Sequence, residues 1–111
     1  MLSDERYQFV VSQIEGMALD ALWLYMEDES ATYDGRKRAF LSTLERMLNE
    51  KMIVAAKGGE ALEIPSSEIA LLFEKSFPQT EADMDGGVWF FTETCPAGIG
   101  WCRADGGIDW V

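Results

Sequence analysis

The sequence predicts an α+β domain in which three helices pack against a small antiparallel sheet formed mainly by the C-terminal third. Two long segments in the first half carry apolar residues at intervals of three and four, the spacing of one helix face. Short apolar runs separated by glycine- and aspartate-rich turns occupy the last third, which is typical of strands. The chain has 111 residues, of which 48% are hydrophobic. This size and composition suit one core, so we predict that residues 1–111 form a single domain.

The first helix is predicted to run from Ser3 to about Asp28. Ser3 can cap its first turn, where Asp4 and Glu5 suit the positive end of the helix dipole. Apolar side chains outside the main stripe, Trp23 among them, indicate that the helix is either central in the fold or partly covered by another molecule. We favour the central position. The main stripe consists of Tyr7, Val11, Ile14, Ala18, Leu22 and Tyr25.

The second helix is predicted to run from Asp34, its candidate N-cap, to about Ala56. Its last turn, residues 53–56, is also consistent with a strand, because it is short and apolar and a Gly-Gly pair follows it. In that case Leu62 and Ile64 would lie in the strand that returns from the turn. The stripe that predicts the helix consists of Phe40, Leu41, Leu44, Met47, Leu48, Met52 and Ile53.

The third helix is predicted to begin at residues 65–68, Pro-Ser-Ser-Glu. Ser66 or Ser67 can cap it, and Pro78 ends it because proline cannot continue the hydrogen-bonding pattern. Its apolar face consists of Ile69, Leu72 and Phe73, extended by Ser76 and Phe77.

Three strands are predicted in the last third. Residues 88–92, Val-Trp-Phe-Phe-Thr, have strand composition, and residues 95–98 form a loop. Residues 99–103 and 108–111 then flank Ala-Asp-Gly-Gly at 104–107, which predicts a hairpin. A short antiparallel meander covering the helices is the simplest arrangement.

The net charge of −11 limits the functions that the chain can perform. An acidic surface repels the phosphates of nucleic acids, whereas it accelerates the encounter with a cationic partner. Two interpretations stay open: the charge only keeps the protein soluble, or it attracts a basic protein partner.

The sequence contains no histidine, which argues against an enzyme. Histidine is the most frequent general base and a frequent metal ligand, so catalysis by Ser-His, Cys-His or His-carboxylate groups is excluded within this chain. No cofactor motif is present, and we predict neither a cofactor nor a metal.

The two cysteines, Cys95 and Cys102, are separated by six residues and match neither a CxxC redox pair nor half of a zinc site. We expect two thiols that act as small apolar residues, with a disulfide across a turn as the alternative. The acidic N-terminus does not resemble a signal peptide, and the longest apolar stretch is too short to cross a bilayer. We therefore expect a cytoplasmic protein with no membrane association.

Positive charge is concentrated in residues 34–57, which hold six basic and three acidic residues, while the remainder of the chain carries −14. A basic helix followed by a small hairpin is the outline of a winged-helix DNA-binding protein, with Arg36, Arg38 and Arg46 as the contacts. Glu45 and Glu50 interrupt this face, so a solvated helix paired with acidic neighbours is the favoured interpretation.

Residues 81–86 resemble the first half of a calcium loop, with oxygen ligands at alternate positions and Gly86 at the sixth. The first position is Glu81 where aspartate is expected, and the twelfth is Thr92 where a bidentate glutamate is needed. An ordinary acidic turn is the favoured interpretation.

Acidic residues alternate with tryptophans near the C-terminus, which indicates one of three roles. Strand tryptophans most often pack in a core, exposed ones anchor protein interfaces beside carboxylates, and paired carboxylates can catalyse hydrolysis. Core packing is favoured for the tryptophans, then an interface, and catalysis last. The candidate partner-binding residues are Asp83, Asp85, Trp89, Asp105 and Asp109.

Residues 87–91, 95–99 and 105–110, together with Trp101, give a C-terminal pattern that resembles the domain-of-unknown-function 596 family of small acidic bacterial proteins. Residues 44–62 and the helix start at 67–68 also fit this family. The family has no established activity, so the resemblance supplies no catalytic residue. Similar small acidic bacterial proteins often act as immunity partners encoded beside secreted toxins, and the resemblance therefore implies a binding role.

The sequence thus predicts a non-enzymatic protein-binding module, with an immunity protein that neutralises a cationic toxin domain as its most specific form. The alternatives are the winged-helix DNA-binding regulator and a structural homodimer built on the broad apolar surface of the first helix.

Overall fold

The computed structural model describes residues 2–111, which form an α+β fold with five α-helices and one four-stranded antiparallel sheet. Two 3-10 segments, Met26–Glu29 and Asp85–Phe91, follow the second and fifth helices. The helices are α1 Asp4–Ile14, α2 Leu19–Tyr25, α3 Tyr33–Asn49, α4 Ser66–Ser76 and α5 Glu81–Met84. The strands are β1 Ile53–Lys57, β2 Glu60–Ala61, β3 Gly98–Cys102 and β4 Ile108–Trp110.

The predicted long first helix is two helices, and the prediction of three helices is therefore wrong. α1 ends at Ile14, and Gly16 follows with a φ of 83°. Glycine reaches this left-handed conformation without strain, so the chain can turn there and resume as α2. The predicted cap is confirmed, since the Ser3 hydroxyl accepts a hydrogen bond from the Arg6 amide at 3.1 Å.

The N-cap of α3 is Thr32 instead of the predicted Asp34, because the Thr32 hydroxyl accepts a hydrogen bond from the Gly35 amide at 3.0 Å. The helix ends before Lys51, which has a φ of 59°, and the strand interpretation of residues 53–56 is confirmed by β1. The turn at residues 58–59 is also confirmed, although the strand that returns from it contains only two residues.

α4 begins where the sequence predicts, but neither serine caps it. Its N-cap is Pro65, which has no side-chain hydrogen bond to offer, while the Ser66 hydroxyl donates to the Asn49 side chain. The helix ends at Ser76, two residues before Pro78.

The strand predicted at residues 88–92 is wrong, because residues 88–91 lie in the 3-10 segment Asp85–Phe91 and Thr92 ends it. Asp85, Gly86 and Gly87 have φ angles of 52°, 64° and 106°. These left-handed residues reverse the chain, so that Trp89 and Phe90 enter the core. Aromatic composition here serves the core and not a sheet. The sheet therefore takes β3 and β4 from the C-terminal third and β1 and β2 from the middle of the chain.

An aromatic cluster joins this segment to the helices. The Phe90 ring lies 5.2 Å from Phe40 of α3, and the Trp89 ring lies 5.3 Å from Phe77 at the end of α4. Trp23 of α2 packs edge-on against Phe77 at 5.5 Å. Such edge-to-face and tilted pairs add to the burial of large apolar surfaces, so this cluster holds the helical half together.

The four strands have the order β2-β1-β3-β4, and the predicted hairpin is confirmed as β3 and β4. One face of the sheet packs against α3 through buried side chains that alternate along β1 and β3. We call the opposite face the outer face. The registers place Val54, Ala56, Ala61, Gly98, Gly100, Cys102, Ile108 and Trp110 on it.

Candidate functional site

All five arginines of the chain lie within 4 Å of a carboxylate. Arginine is the side chain best suited to phosphate recognition, because its donors form a planar fork. Here each arginine already has an acidic neighbour, including the three arginines of the predicted DNA-binding segment. This observation weakens the winged-helix interpretation.

Arg36 is a buried residue instead of a surface contact. Its side chain lies over the Trp23 ring at 4.1 Å, and Nη2 donates to the Trp23 carbonyl oxygen at 3.1 Å. Nη1 lies 3.8 Å from a carboxylate oxygen of Glu81, and Nε has no hydrogen-bond partner within residues 2–111. Arg36 therefore ties α3 to α2 and α5, and the prediction that it contacts DNA is not compatible with this position.

Arg46 is held by three neighbours. Its guanidinium lies 3.7 Å above the Tyr7 ring, Nε donates to Glu50 at 3.0 Å, and Nη2 lies 3.1 Å from Asp4. The Tyr7 hydroxyl donates to the same Glu50 carboxylate at 3.0 Å. Burial, followed by this carboxylate, raises the pKa of Tyr7 above its ordinary value, while Arg46 and Tyr7 lower the pKa of Glu50.

Arg38 is exposed and pairs with Asp34 one turn earlier, at 2.9 Å. Of the three predicted DNA contacts it alone points fully into solvent, and its charge is compensated locally. The structure thus agrees with the favoured interpretation of this helix, a solvated face paired with acidic neighbours.

The first pair of predicted partner-binding acids lies at the α5 turn. Asp83 and Asp85 are both exposed, and the Thr80 hydroxyl caps α5 by accepting from the Asp83 amide at 3.2 Å. The nearby Tyr33 has its pKa raised to about 12, mainly by burial, with Arg36 opposing and Asp83 contributing. Among residues 2–111, no three Cys, Asp or Glu side chains converge in a way that could hold a metal ion.

The second pair lies on the β3–β4 hairpin, around one arginine. Arg103 Nε lies 3.1 Å from Asp105, and Nη1 lies 2.7 Å from Asp109. Asp105 also accepts from the Gly107 amide at 2.8 Å, and this bond, followed by the Arg103 pair, lowers its pKa. The hairpin tip therefore holds two carboxylates for one guanidinium.

The two acidic pairs belong to different parts of the fold. Asp83 and Asp85 are on a segment that packs against α2, whereas Asp105 and Asp109 are on a hairpin that extends the sheet. Sequence proximity therefore does not make them one site.

The tryptophans separate into three buried side chains and an exposed one. Trp89 is only 6% exposed, so the predicted partner-binding tryptophan belongs to the core. Trp101 is also buried, and its indole nitrogen donates to the Met17 carbonyl oxygen at 2.8 Å. Trp110 is 56% exposed on β4, and sequence reasoning missed it as a site residue. Its alternation with Asp109 on a terminal hairpin strand was the signal that could have identified it.

The outer face around Trp110 is apolar. Ile108 and Trp110 lie across Gly100, where a Cβ atom would come within 2.7 Å of the Trp110 ring. An open groove of about 320 Å³ lies beside Trp110 and is also lined by Ala56, Gly98 and Val111. No position of the registered strands on this face carries a charge.

The cysteines have different environments. Cys95 is buried, its thiol donates to the Ala97 carbonyl oxygen at 3.3 Å, and burial raises its pKa. Cys102 is exposed on the outer face. The expectation of a small apolar residue fits Cys95 and does not fit Cys102.

Comparison with solved structures finds a protein of similar fold. An uncharacterised protein conserved in bacteria, from Neisseria meningitidis, is 21% identical and has a TM-score of 0.83, with 96% of this chain and 84% of that chain covered. This similarity supports the fold. No curated protein matches the sequence. Within residues 2–111, none of the helices combines the length and the apolar character needed to cross a membrane.

The family model described as a protein of unknown function, DUF596, matches residues 48–111, which is more than half of the chain. The matched part contains the whole sheet, the aromatic 3-10 segment and the C-terminal hairpin. The predicted resemblance is thereby confirmed, and the chain belongs to the DUF596 family.

Proposed function

We propose that this protein is a non-enzymatic binding module whose partner is a basic protein. The proposal is supported by the number of carboxylates that have no arginine beside them. Within residues 2–111, seven carboxylates lie within 4 Å of an arginine, and all five arginines are used in these pairs. The chain has twenty acidic residues, so thirteen carboxylates remain outside those pairs.

An excess of uncompensated carboxylates produces a long-range negative potential. Such a potential increases the rate at which a cationic partner meets the protein, and it excludes other acidic proteins and nucleic acids. Because screening weakens these interactions, binding should fall as ionic strength rises. The proposed contacts are Asp83 and Asp85 at the α5 turn, which lie outside the arginine pairs, and Asp105 and Asp109 on the hairpin, which share the single guanidinium of Arg103.

The most specific form of the proposal is an immunity protein that neutralises a cationic toxin domain. A binding protein of this kind needs no catalytic group; it needs a surface that covers the partner's basic site. The paired arginines and the excess of acidic residues support this form over a DNA-binding regulator.

The test is capture of partners from a lysate of the source bacterium at low and high salt, followed by measured affinities for the captured protein. We expect one stoichiometric, basic partner that is released by salt. Reversal of Asp83, Asp85, Asp105 and Asp109 to lysine should weaken its affinity by at least about tenfold at low salt.

The control reverses four exposed acids that, unlike Asp105 and Asp109, lie outside the ion pairs: Glu15, Glu27, Glu63 and Glu74. It changes the net charge equally and should reduce affinity less. Capture of DNA alone, or equal losses in both variants, would contradict the proposed contacts.

A further inference from the structure

β4 is an edge strand with an open side. Hydrogen bonds from the Arg103 amide to the Gly107 carbonyl, at 2.8 Å, and from the Val111 amide to the Ile99 carbonyl, at 3.2 Å, fix the ladder between β3 and β4. In an antiparallel ladder, alternate residues turn their backbone groups toward the neighbouring strand and away from it. Ile108 and Trp110 are the residues whose N–H and C=O groups point away from β3.

These backbone groups have no partner among residues 2–111. An open row of donors and acceptors on an edge strand is a template for another extended chain. The opposite edge of the sheet is β2, which has two residues, Glu60 and Ala61, against the three of β4.

The side chains of β4 alternate between two chemistries. Ile108 and Trp110 lie on the outer face and are 37% and 56% exposed. Asp109 lies between them and projects to the opposite face, where it pairs with Arg103. An added strand would therefore meet apolar surface on one face and a carboxylate on the other.

The negative charge at this edge favours a basic strand over a second copy of this chain as the strand that pairs with β4. Two carboxylates share one guanidinium at the hairpin tip, so the tip keeps a net negative charge in a molecule of net charge −11. A second copy that paired antiparallel with its own β4 would place the two Asp109 side chains opposite each other, and like charges in that position are destabilising. A basic side chain at the same position would be attracted instead.

We propose that β4 receives an extended segment of the partner by strand addition. This segment has a basic residue opposite Asp109, and the apolar residues on either side of it pack on Ile108 and Trp110 across the outer face. The inference rests on the proposed function, because it assumes that the partner is a basic protein, and it specifies how that partner binds.

The probe is an end-blocked octapeptide of alternating valine and lysine. An isomer with four valines followed by four lysines has the same charge without the alternation, and a valine-glutamate peptide has the alternation with the opposite charge. Trp110 reports binding through its fluorescence, because Trp23, Trp89 and Trp101 are buried. Hydrogen exchange of the Ile108 and Trp110 amides reports pairing with the strand.

We expect the alternating basic peptide to bind, to shift the Trp110 emission to shorter wavelength and to protect both amides, while the two control peptides bind at least about tenfold more weakly. Ile108→Pro removes an outward N–H and leaves the ladder to β3 intact, so it should weaken binding by about tenfold. Ile108→Val keeps the N–H and should bind like the native protein.

A second pair of variants keeps the test decisive if Ile108→Pro fails to fold. Asp109→Asn should weaken binding of the basic peptide several-fold, whereas Asp28→Asn, which removes the same charge from an exposed position elsewhere, should not. Equal binding by both variants would overturn the inference, as would failure of the alternating peptide to bind.

Two further outcomes separate the inference from the function on which it rests. If a basic protein captured from lysate binds Ile108→Pro as tightly as the native protein, strand addition is wrong and the proposed function stands. A concentration-dependent shift of Trp110 emission without peptide, accompanied by a dimer in sedimentation, would show that a second copy occupies β4 and would also overturn the inference.

Discussion

Substitution of Arg36 tests whether a buried arginine stabilises this fold. Its guanidinium is packed on Trp23, and it is 9% exposed. A buried cation–π contact contributes about 2 kcal/mol, and a hydrogen bond from a charged donor contributes about 1.5–3 kcal/mol. The Trp23 carbonyl also accepts from the Met26 amide, so it stays partly satisfied when the arginine is removed, and the lower value applies.

The uncompensated Nε atom opposes these gains. Burial of an unpaired donor costs about 1–3 kcal/mol. The net loss on Arg36→Met, which keeps most of the packing, should therefore be about 1–2 kcal/mol in the free energy of unfolding. Arg36→Ala also removes the packed methylene groups and should cost about 3 kcal/mol.

Urea denaturation followed by far-UV circular dichroism measures both values. Arg38→Ala is the matched control on the same helix, and it should lose much less stability than either Arg36 variant, because its pair with Asp34 is exposed to solvent. Glu81→Gln should also have a small effect, because the Glu81 carboxylate is largely exposed. If Arg36→Met is as stable as the native protein, the desolvation of Arg36 cancels its contacts and the reasoning is refuted.

Three further predictions concern the sheet and its hairpin. Gly100→Ala should displace the two side chains that cover the glycine and cost about 1–3 kcal/mol in urea denaturation. In Gly98→Ala the added Cβ meets nothing closer than 3.9 Å and should be tolerated, so equal losses would contradict this argument. Asp105 should titrate in NMR below its ordinary pKa of 3.8, so its contribution to the hairpin is present at neutral pH and is lost as the pH falls through that lowered pKa. A midpoint at or above 3.8 would refute the hydrogen-bond argument. Cys102 should react with a thiol reagent in the native protein and Cys95 only after unfolding, with Cys102→Ser removing the fast phase. Two fast thiols would show that Cys95 is accessible.

Local signals in the sequence predicted the elements that depend on local physics. The Ser3 cap, the apolar stripe of α3 and the hairpin turn at residues 104–107 each depend on residues close together in the chain, and the structure confirms them. The family was also recognised from the C-terminal pattern.

Predictions failed where packing between distant segments decides the outcome. Residues 88–92 have the composition of a strand, yet three consecutive positive φ angles before them send Trp89 into the aromatic core. Periodicity continued through Gly16 and concealed the break between α1 and α2.

The same dependence on packing limits what the sequence says about the candidate site. The sequence identifies which residues are acidic or aromatic, but exposure depends on the tertiary neighbours. Trp89, a candidate partner-binding residue, is buried, whereas Trp110 is exposed, and Arg36 is buried against the Trp23 ring.

The pairing of β1 with β3 joins Ile53 to Trp101, across α4, α5 and the 3-10 segment. Closing so long a loop costs chain entropy before any of the ladder bonds form, and contacts of this separation slow the folding of small domains. Contacts within the helices join residues close in the chain, whereas β1 and β3 pair across more than forty residues. While β3 is still inside the ribosome, β1 lacks the strand with which it pairs. The sheet is therefore completed only when the last third of the sequence has been synthesised.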